Sequence, residues 1–196
     1  MKKMDENAKL DLPMTEQLEQ ELRKRKYRFG YIKLLRSTIS SLVVVAAIAV
    51  LISMLFLPVL RVVGTSMTPT LQNQELVVCR RIGDFETGDI IAFYFNNKVL
   101  LKRVIGVSGD VIDIDEDGTV YVNGEAIDEP YVDEKALGEC DIELPYQVSE
   151  DRIFVMGDHR STSVDSRSSS IGCVAEELVI GKVIWCIWPL DQLTVF

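Results

Sequence analysis

Between Ser37 and Leu60 the chain runs for 24 residues without a charged side chain, reading STISSLVVVAAIAVLISMLFLPVL. An α-helix rises about 1.5 Å per residue, so roughly 20 such residues span the hydrocarbon core of a bilayer. A helix of this length in the core of a soluble protein would keep a polar face, and here only scattered Ser and Thr interrupt the apolar residues. The run also exceeds the roughly 7–15 apolar residues of a cleavable secretory signal, and 36 residues precede it. An uncleaved anchor is therefore expected.

Charge gives this anchor a direction. Arg23, Lys24, Arg25, Lys26, Arg28, Lys33 and Arg36 crowd its N-terminal side, while Arg61 stands nearly alone beyond it. Basic residues are retained on the cytoplasmic side of a membrane. The expected organisation is a cytoplasmic segment over residues 1–36, a single transmembrane helix over 37–60 and an extracytoplasmic domain over 61–196. The first segment is predicted to be helical around Thr15–Arg28, with Pro13 near its start. Its basic end is read as a solvated tail meeting anionic lipid heads.

Residues 1–36 hold ten Lys and Arg against six Asp and Glu, whereas the remainder holds eleven against twenty-four. So acidic a main domain is repelled by phosphate backbones, which argues against nucleic-acid binding. The four cysteines, Cys79, Cys140, Cys173 and Cys186, fit no metal-ligand spacing, and His159 is the chain's one histidine. No metal site is expected. Cys79 and Cys186 sit in apolar runs where a thiol acts as a small hydrophobe, and Cys140 sits in an acidic loop. Free thiols are favoured, although an extracytoplasmic domain also permits disulfides whose pairing the sequence leaves open.

After Arg61 the texture becomes a series of short runs rich in Val, Ile and aromatics. These are residues 75–82, 89–95, 99–107, 110–115, 119–127, 152–158 and 178–188. Gly-Asp, Asn-Asn, Asp-Gly and Asn-Gly turn signals separate them, and Asn123–Gly124 marks a hairpin. Many short strands at this spacing predict a mainly β fold, an antiparallel sandwich or barrel-like domain, preceded by the single helix. Residues 128–151 are acidic, contain Pro130 and Pro145, and read as a long excursion.

Three segments could carry chemistry. In GTSMTPTL, residues 64–71, Ser66 lies in a turn between Gly64 and Pro69. A serine nucleophile needs exposure, a base, and N–H donors for an oxyanion, and a turn can supply the donors. By itself a serine in a turn has no specificity. Lys102 lies inside the apolar run VLLKRVIGV. Burial disfavours its charged form and can turn it into a proton acceptor. Lys102 and Arg103 should point to opposite faces of a strand, so one of them is expected to face the core; an edge strand with both heads in solvent is the alternative. GDHRSTSVDSR, residues 157–167, packs Asp158, His159, Arg160, Ser163, Asp165 and Arg167 into one strand-to-loop junction. Ser163 could hold a lysine amine, and Asp165 and Arg167 have the signs to pair. Any one of these residues could equally belong to a solvated loop.

Together the segments resemble the type I signal peptidase family in its compact Gram-positive form. The resemblance rests on the anchor helix followed in order by GTSMTPTL, GDIIAF, KRVIGVSGD, YVNG, GDHRSTSVDSR and IGKV. It implies a plasma-membrane serine endopeptidase without cofactor, which cuts signal peptides from exported preproteins after small residues. Its partners would be those preproteins, the lipid bilayer and the secretion translocon. It further implies that Ser66 is the nucleophile, with its own N–H as an oxyanion donor, and that Lys102 is the general base. Ser163 would orient the amine, Asp165 and Arg167 would form an ion pair beside the site, and Asp158 and Arg160 would support it. Two positions depart from the pattern. His159 replaces the usual asparagine, and Gly64 stands where some members carry a serine, leaving a second oxyanion donor unassigned.

The rival readings are a non-catalytic, membrane-tethered β-domain scaffold and a serine hydrolase built on His159 with Ser66 and Asp158 or Asp165. Self-cleaving repressors also use a Ser/Lys pair, but they are soluble and lack an anchor. Trp185 and Trp188 suit either a membrane interface or core packing.

Overall fold

The computed structural model describes residues 14–81 and 84–196. The tail with Pro13, and Ile82 at the end of the first expected strand, lie outside the described residues. A continuous helix α1 covers Thr15–Phe56. It takes in both the basic segment and most of the charge-free run, and none of its residues is buried by the rest of the chain. It ends where Pro58 restricts the preceding residue to extended backbone. Within the run 37–60, residues from Val59 onward are therefore strand rather than helix.

The remainder is antiparallel β structure. Strands β1 (Val59–Arg61), β2 (Leu76–Arg80), β3 (Ile90–Phe95) and β4 (Lys98–Gly106) come first. A small group follows, β5 (Val111–Ile114), β6 (Val120–Val122), β7 (Glu125–Ala126) and β8 (Tyr146–Gln147). Then come β9 (Arg152–Met156), β10 (Val174–Ala175), β11 (Val179–Trp188) and β12 (Thr194–Val195). The larger sheet runs β1-β2-β11-β3-β4-β9-β10, with β12 against β11, and the smaller runs β7-β6-β5-β8. Asn123 and Gly124 both take positive φ, 54° and 84°, and close the β6–β7 hairpin that this dipeptide predicts.

At β3 the larger sheet is covered on both faces, which explains why this strand is apolar at consecutive positions. Ile90 and Ala92 enter one core with Val77, Cys79, Val183 and Cys186, while Ile91 and Phe93 enter another with Val104 and Val155. A third core lies among Ile105, Phe154 and Met156 of the larger sheet and Ile112, Ile114 and Val120 of the smaller. All four cysteines are free thiols; Cys79, Cys173 and Cys186 are buried and Cys140 is half-buried. Burial pushes the Cys79 thiol up to about 12, so it behaves as an inert hydrophobe.

Four strands escape the sequence reading: β1, β8, β10 and β12. Each has two or three residues, too few for an alternation of apolar and polar positions to register. They are defined by their partners.

Candidate functional site

The turn carrying Ser66 is fixed from both ends. Met67 and Leu71 are buried in the first core, and the Leu71 N–H donates to the Met67 carbonyl at 2.8 Å. Thr68 donates to the Thr65 carbonyl through its N–H and its hydroxyl, at 3.1 and 2.8 Å. Gly64, at φ 102°, enters the turn in a backbone region open to glycine, and its N–H donates to Asn73 Oδ1 at 3.1 Å. Between these anchors Ser66 remains half-buried.

Lys102 lies in β4 opposite Ile91, and its side chain is 3% exposed. Its Nζ donates to Ser163 Oγ at 2.9 Å. Burial lowers its pKa to about 8, with Arg167 acting in the same sense and Asp165 and Asp158 opposing it. Desolvation thus moves the amine towards the range in which a neutral lysine can accept a proton.

Arg103, opposite Ile90 on the other face of the strand, is also buried, at 7% exposure. This corrects the expectation that only one of the two basic residues faces a core. The sheet is sandwiched here, and a buried guanidinium is tolerable because its donors are used. Arg103 donates to both oxygens of Asp158 at 2.9 and 2.6 Å, to the Gly88 carbonyl at 2.7 Å and to Thr70 Oγ1 at 3.3 Å. The Tyr131 ring covers it, 3.8 Å from guanidinium carbon to ring centroid.

The loop after β9 joins these parts. Asp165 accepts the Gly157 N–H at 2.9 Å and two side-chain donors of Arg167, at 2.8 and 2.9 Å. Arg167 also donates to the carbonyls of Leu137 at 2.6 Å and Arg160 at 2.9 Å. Both members of the pair are fully buried. Arg160 is equally buried and forms a paired contact with Glu129. The His159 N–H donates to the Ser66 carbonyl at 3.1 Å. A Cβ added at Gly157 would overlap both Ser163 Oγ and the Ser66 carbonyl oxygen. One loop therefore touches the main chain of Ser66 and also presents the hydroxyl that holds Lys102.

Every residue singled out in GDHRSTSVDSR for a supporting role thus has a buried partner here. Glu129, Tyr131, Arg103 and Gly157 were not anticipated. Glu129 and Tyr131 look like ordinary members of an acidic loop, and no local pattern marks them. Gly157 could have been suspected, since a glycine directly after an apolar strand often permits close backbone approach. The His159 ring bonds through Nδ1 to Thr162 Oγ1 at 2.5 Å. Asp158 and Asp165, the acids a histidine triad would require, are engaged by Arg103 and Arg167. Among the described residues no cluster of acids, cysteines or histidine could hold a metal ion.

A cleft of about 130 Å³ opens beside Ser66, lined by Leu60, Val62, Gly64, Met67, Leu100 and Leu101 among others.

A buried lysine thus donates to a serine hydroxyl in a β domain that follows an apolar helix. The family described as signal peptidase, peptidase S26, matches residues 35–188. The chain belongs to this signal peptidase family. Signal peptidase I of Bacillus licheniformis is 33% identical over 194 residues, covering 92% of this chain and 98% of that protein. Signal peptidase I S of Bacillus subtilis (strain 168) is 31% identical, covering 78% and 89%. A solved signal peptidase I from Enterococcus faecalis V583 is 30% identical, covers 52% of this chain and 97% of its own, and has a TM-score of 0.42.

Proposed function

We propose that Ser66 is the nucleophile and Lys102 the general base with which this type I signal peptidase removes signal peptides from preproteins. The observation that carries this assignment is the buried amine of Lys102 on Ser163 Oγ at 2.9 Å, in the loop that also bonds the main chain of Ser66. Neutral Lys102 takes the hydroxyl proton of Ser66 as Oγ attacks the scissile carbonyl. The resulting ammonium returns that proton to the leaving amine, and an acyl-enzyme remains on Ser66. Lys102 then deprotonates the water that hydrolyses the ester. The Ser66 N–H serves as one oxyanion donor.

Ser163 holds the amine in a single rotamer, and the Asp165–Arg167 and Asp158–Arg103 pairs fix the loop and strand that bring the parts together. The cleft beside Ser66 suits small side chains, in keeping with cleavage after small residues. The basic N-terminal flank of the apolar helix supports a cytoplasmic N-terminus and a β domain on the outer face of the plasma membrane. Substrates then arrive as secretory preproteins held in the same bilayer, delivered by the translocon.

The test is Lys102→Met in detergent-solubilised full-length protein, incubated with a signal-bearing preprotein and read by mass spectrometry of product N-termini. Cleavage is expected to disappear while the β-rich circular dichroism spectrum persists. Normal processing by the folded variant would refute the assignment.

A further inference from the structure

Ser66 sits on an arch between two buried anchors, Val62 at 3% exposure and Met67 at 2%. The residues between them are exposed or half-buried, Val63 most of all at 80%. Core packing therefore does not fix the backbone of the arch, and hydrogen bonds have to. Its C-terminal limb is held twice. The Thr65 carbonyl accepts from the N–H and the hydroxyl of Thr68, and the Ser66 carbonyl accepts from the His159 N–H. Between Val62 and Ser66 there is one tether among the described residues: the Gly64 N–H donates to Asn73 Oδ1 at 3.1 Å.

The turn that carries Asn73 is shaped to meet this limb. The Val62 N–H donates to the Glu75 carbonyl at 2.8 Å, and the Gln74 N–H donates to the Val62 carbonyl at 2.9 Å. The Glu75 side chain, in a residue only 6% exposed, turns back and accepts the Gln72 N–H at 2.9 Å. Gln74 holds φ 78°, a left-handed conformation that a residue other than glycine keeps only where its surroundings enforce it. Asn73 itself is exposed and belongs to no core. Gly64, at φ 102°, has no side chain to select one backbone well from the several open to glycine. The tether on its N–H makes that selection.

We propose that Asn73 is a positioning residue for catalysis, whose side-chain oxygen holds Gly64 and so fixes the limb that leads into Ser66. Two things depend on that limb. One is the direction of the Ser66 N–H, which no acceptor engages among the described residues. The other is the wall of the cleft formed by Val63 and Gly64. The proposal rests on the reading of Ser66 as nucleophile and oxyanion donor. Substrate is held by the cleft as a whole, so a loosened limb costs most when negative charge develops on the carbonyl oxygen.

The test uses full-length protein in detergent and a peptide substrate, on the alkaline plateau of the pH profile. Asn73→Ala is expected to lower kcat about tenfold and to leave KM within about twofold, because a small displacement of a reacting group is felt in the transition state. Asn73→Asp keeps an acceptor at the same place and should return kcat to within about threefold of the parent. Neither change should move Tm, since residue 73 packs in no core. Parental kcat in Asn73→Ala overturns the proposal. So does an Asn73→Asp variant as slow as Asn73→Ala, which assigns the effect to the amide NH2 group, and so does a loss of kcat that runs parallel to a fall in Tm. Ser66→Ala separates the two readings. Cleavage by folded Ser66→Ala overturns the nucleophile assignment, whereas parental kcat in Asn73→Ala beside an inactive Ser66→Ala overturns the tether alone.

Discussion

Lys102 and Ser163 are 61 residues apart in sequence and 2.9 Å apart in space, amine on hydroxyl, both buried. This contact joins β4 to the loop after β9, and it leaves the amine one partner and almost no water. Desolvation dominates the electrostatics, which is why the lysine titrates at about 8.

The pH dependence of kcat/KM should show an ascending limb with its midpoint near that value, measured on a peptide substrate. Below the midpoint the neutral fraction of Lys102 falls tenfold per pH unit, and cleavage falls with it. The same shift has a cost in stability. An unfolded lysine keeps its proton up to about 10.4, so between about 8 and that value the unfolded chain binds more protons and stability rises with pH. Below about 8 the folded protein carries the full penalty of a buried charge. At neutral pH, Lys102→Met should therefore raise the unfolding free energy, by roughly 1–3 kcal/mol in denaturant titrations.

Gly157→Ala should abolish activity without unfolding the domain. The added methyl would overlap both Ser163 Oγ and the Ser66 carbonyl, so at least one of them must move. A displacement of about 1 Å in a reacting group costs on the order of 100-fold. A kcat close to that of the parent enzyme would show that the loop and the Ser66 turn need not be in register.

Glu129→Gln is expected to destabilise more than it inactivates. It leaves Arg160 fully buried without its charge partner, a change that typically costs about 3–5 kcal/mol. Thermal unfolding should show a large fall in Tm. Replacing Glu129 and Arg160 together by apolar residues of similar volume should recover part of the loss. An unchanged Tm for the single variant would mean that water reaches Arg160.

His159→Asn should leave kcat/KM within about twofold of the parent, since the link to Ser66 runs through the main-chain N–H of residue 159 and the ring's hydrogen bond is to Thr162. Loss of activity here, with Lys102→Met still active, would favour a histidine-based hydrolase.

The apolar helix, eight of the twelve strands and the Asn123–Gly124 hairpin were legible in the sequence, because each is dictated by local periodicity or turn chemistry. Ser66, Lys102 and GDHRSTSVDSR were legible as ordered motifs. Their contacts were not, because Lys102 to Ser163, Arg103 to Asp158 and Arg160 to Glu129 each join residues 31 to 61 positions apart.

Tertiary structure alone decided that Lys102 and Arg103 could both be buried, since a strand's alternation gives each face but not what covers it. It alone turned the excursion bearing Glu129 and Tyr131 into a partner of Arg160 in the loop after β9 and of Arg103 in β4. It also left Trp185 and Trp188 outside the cores, where sequence allowed either placement. Local order sets which side chains point together; only packing determines how much water each one keeps, and that decides whether a lysine is a cation or a base.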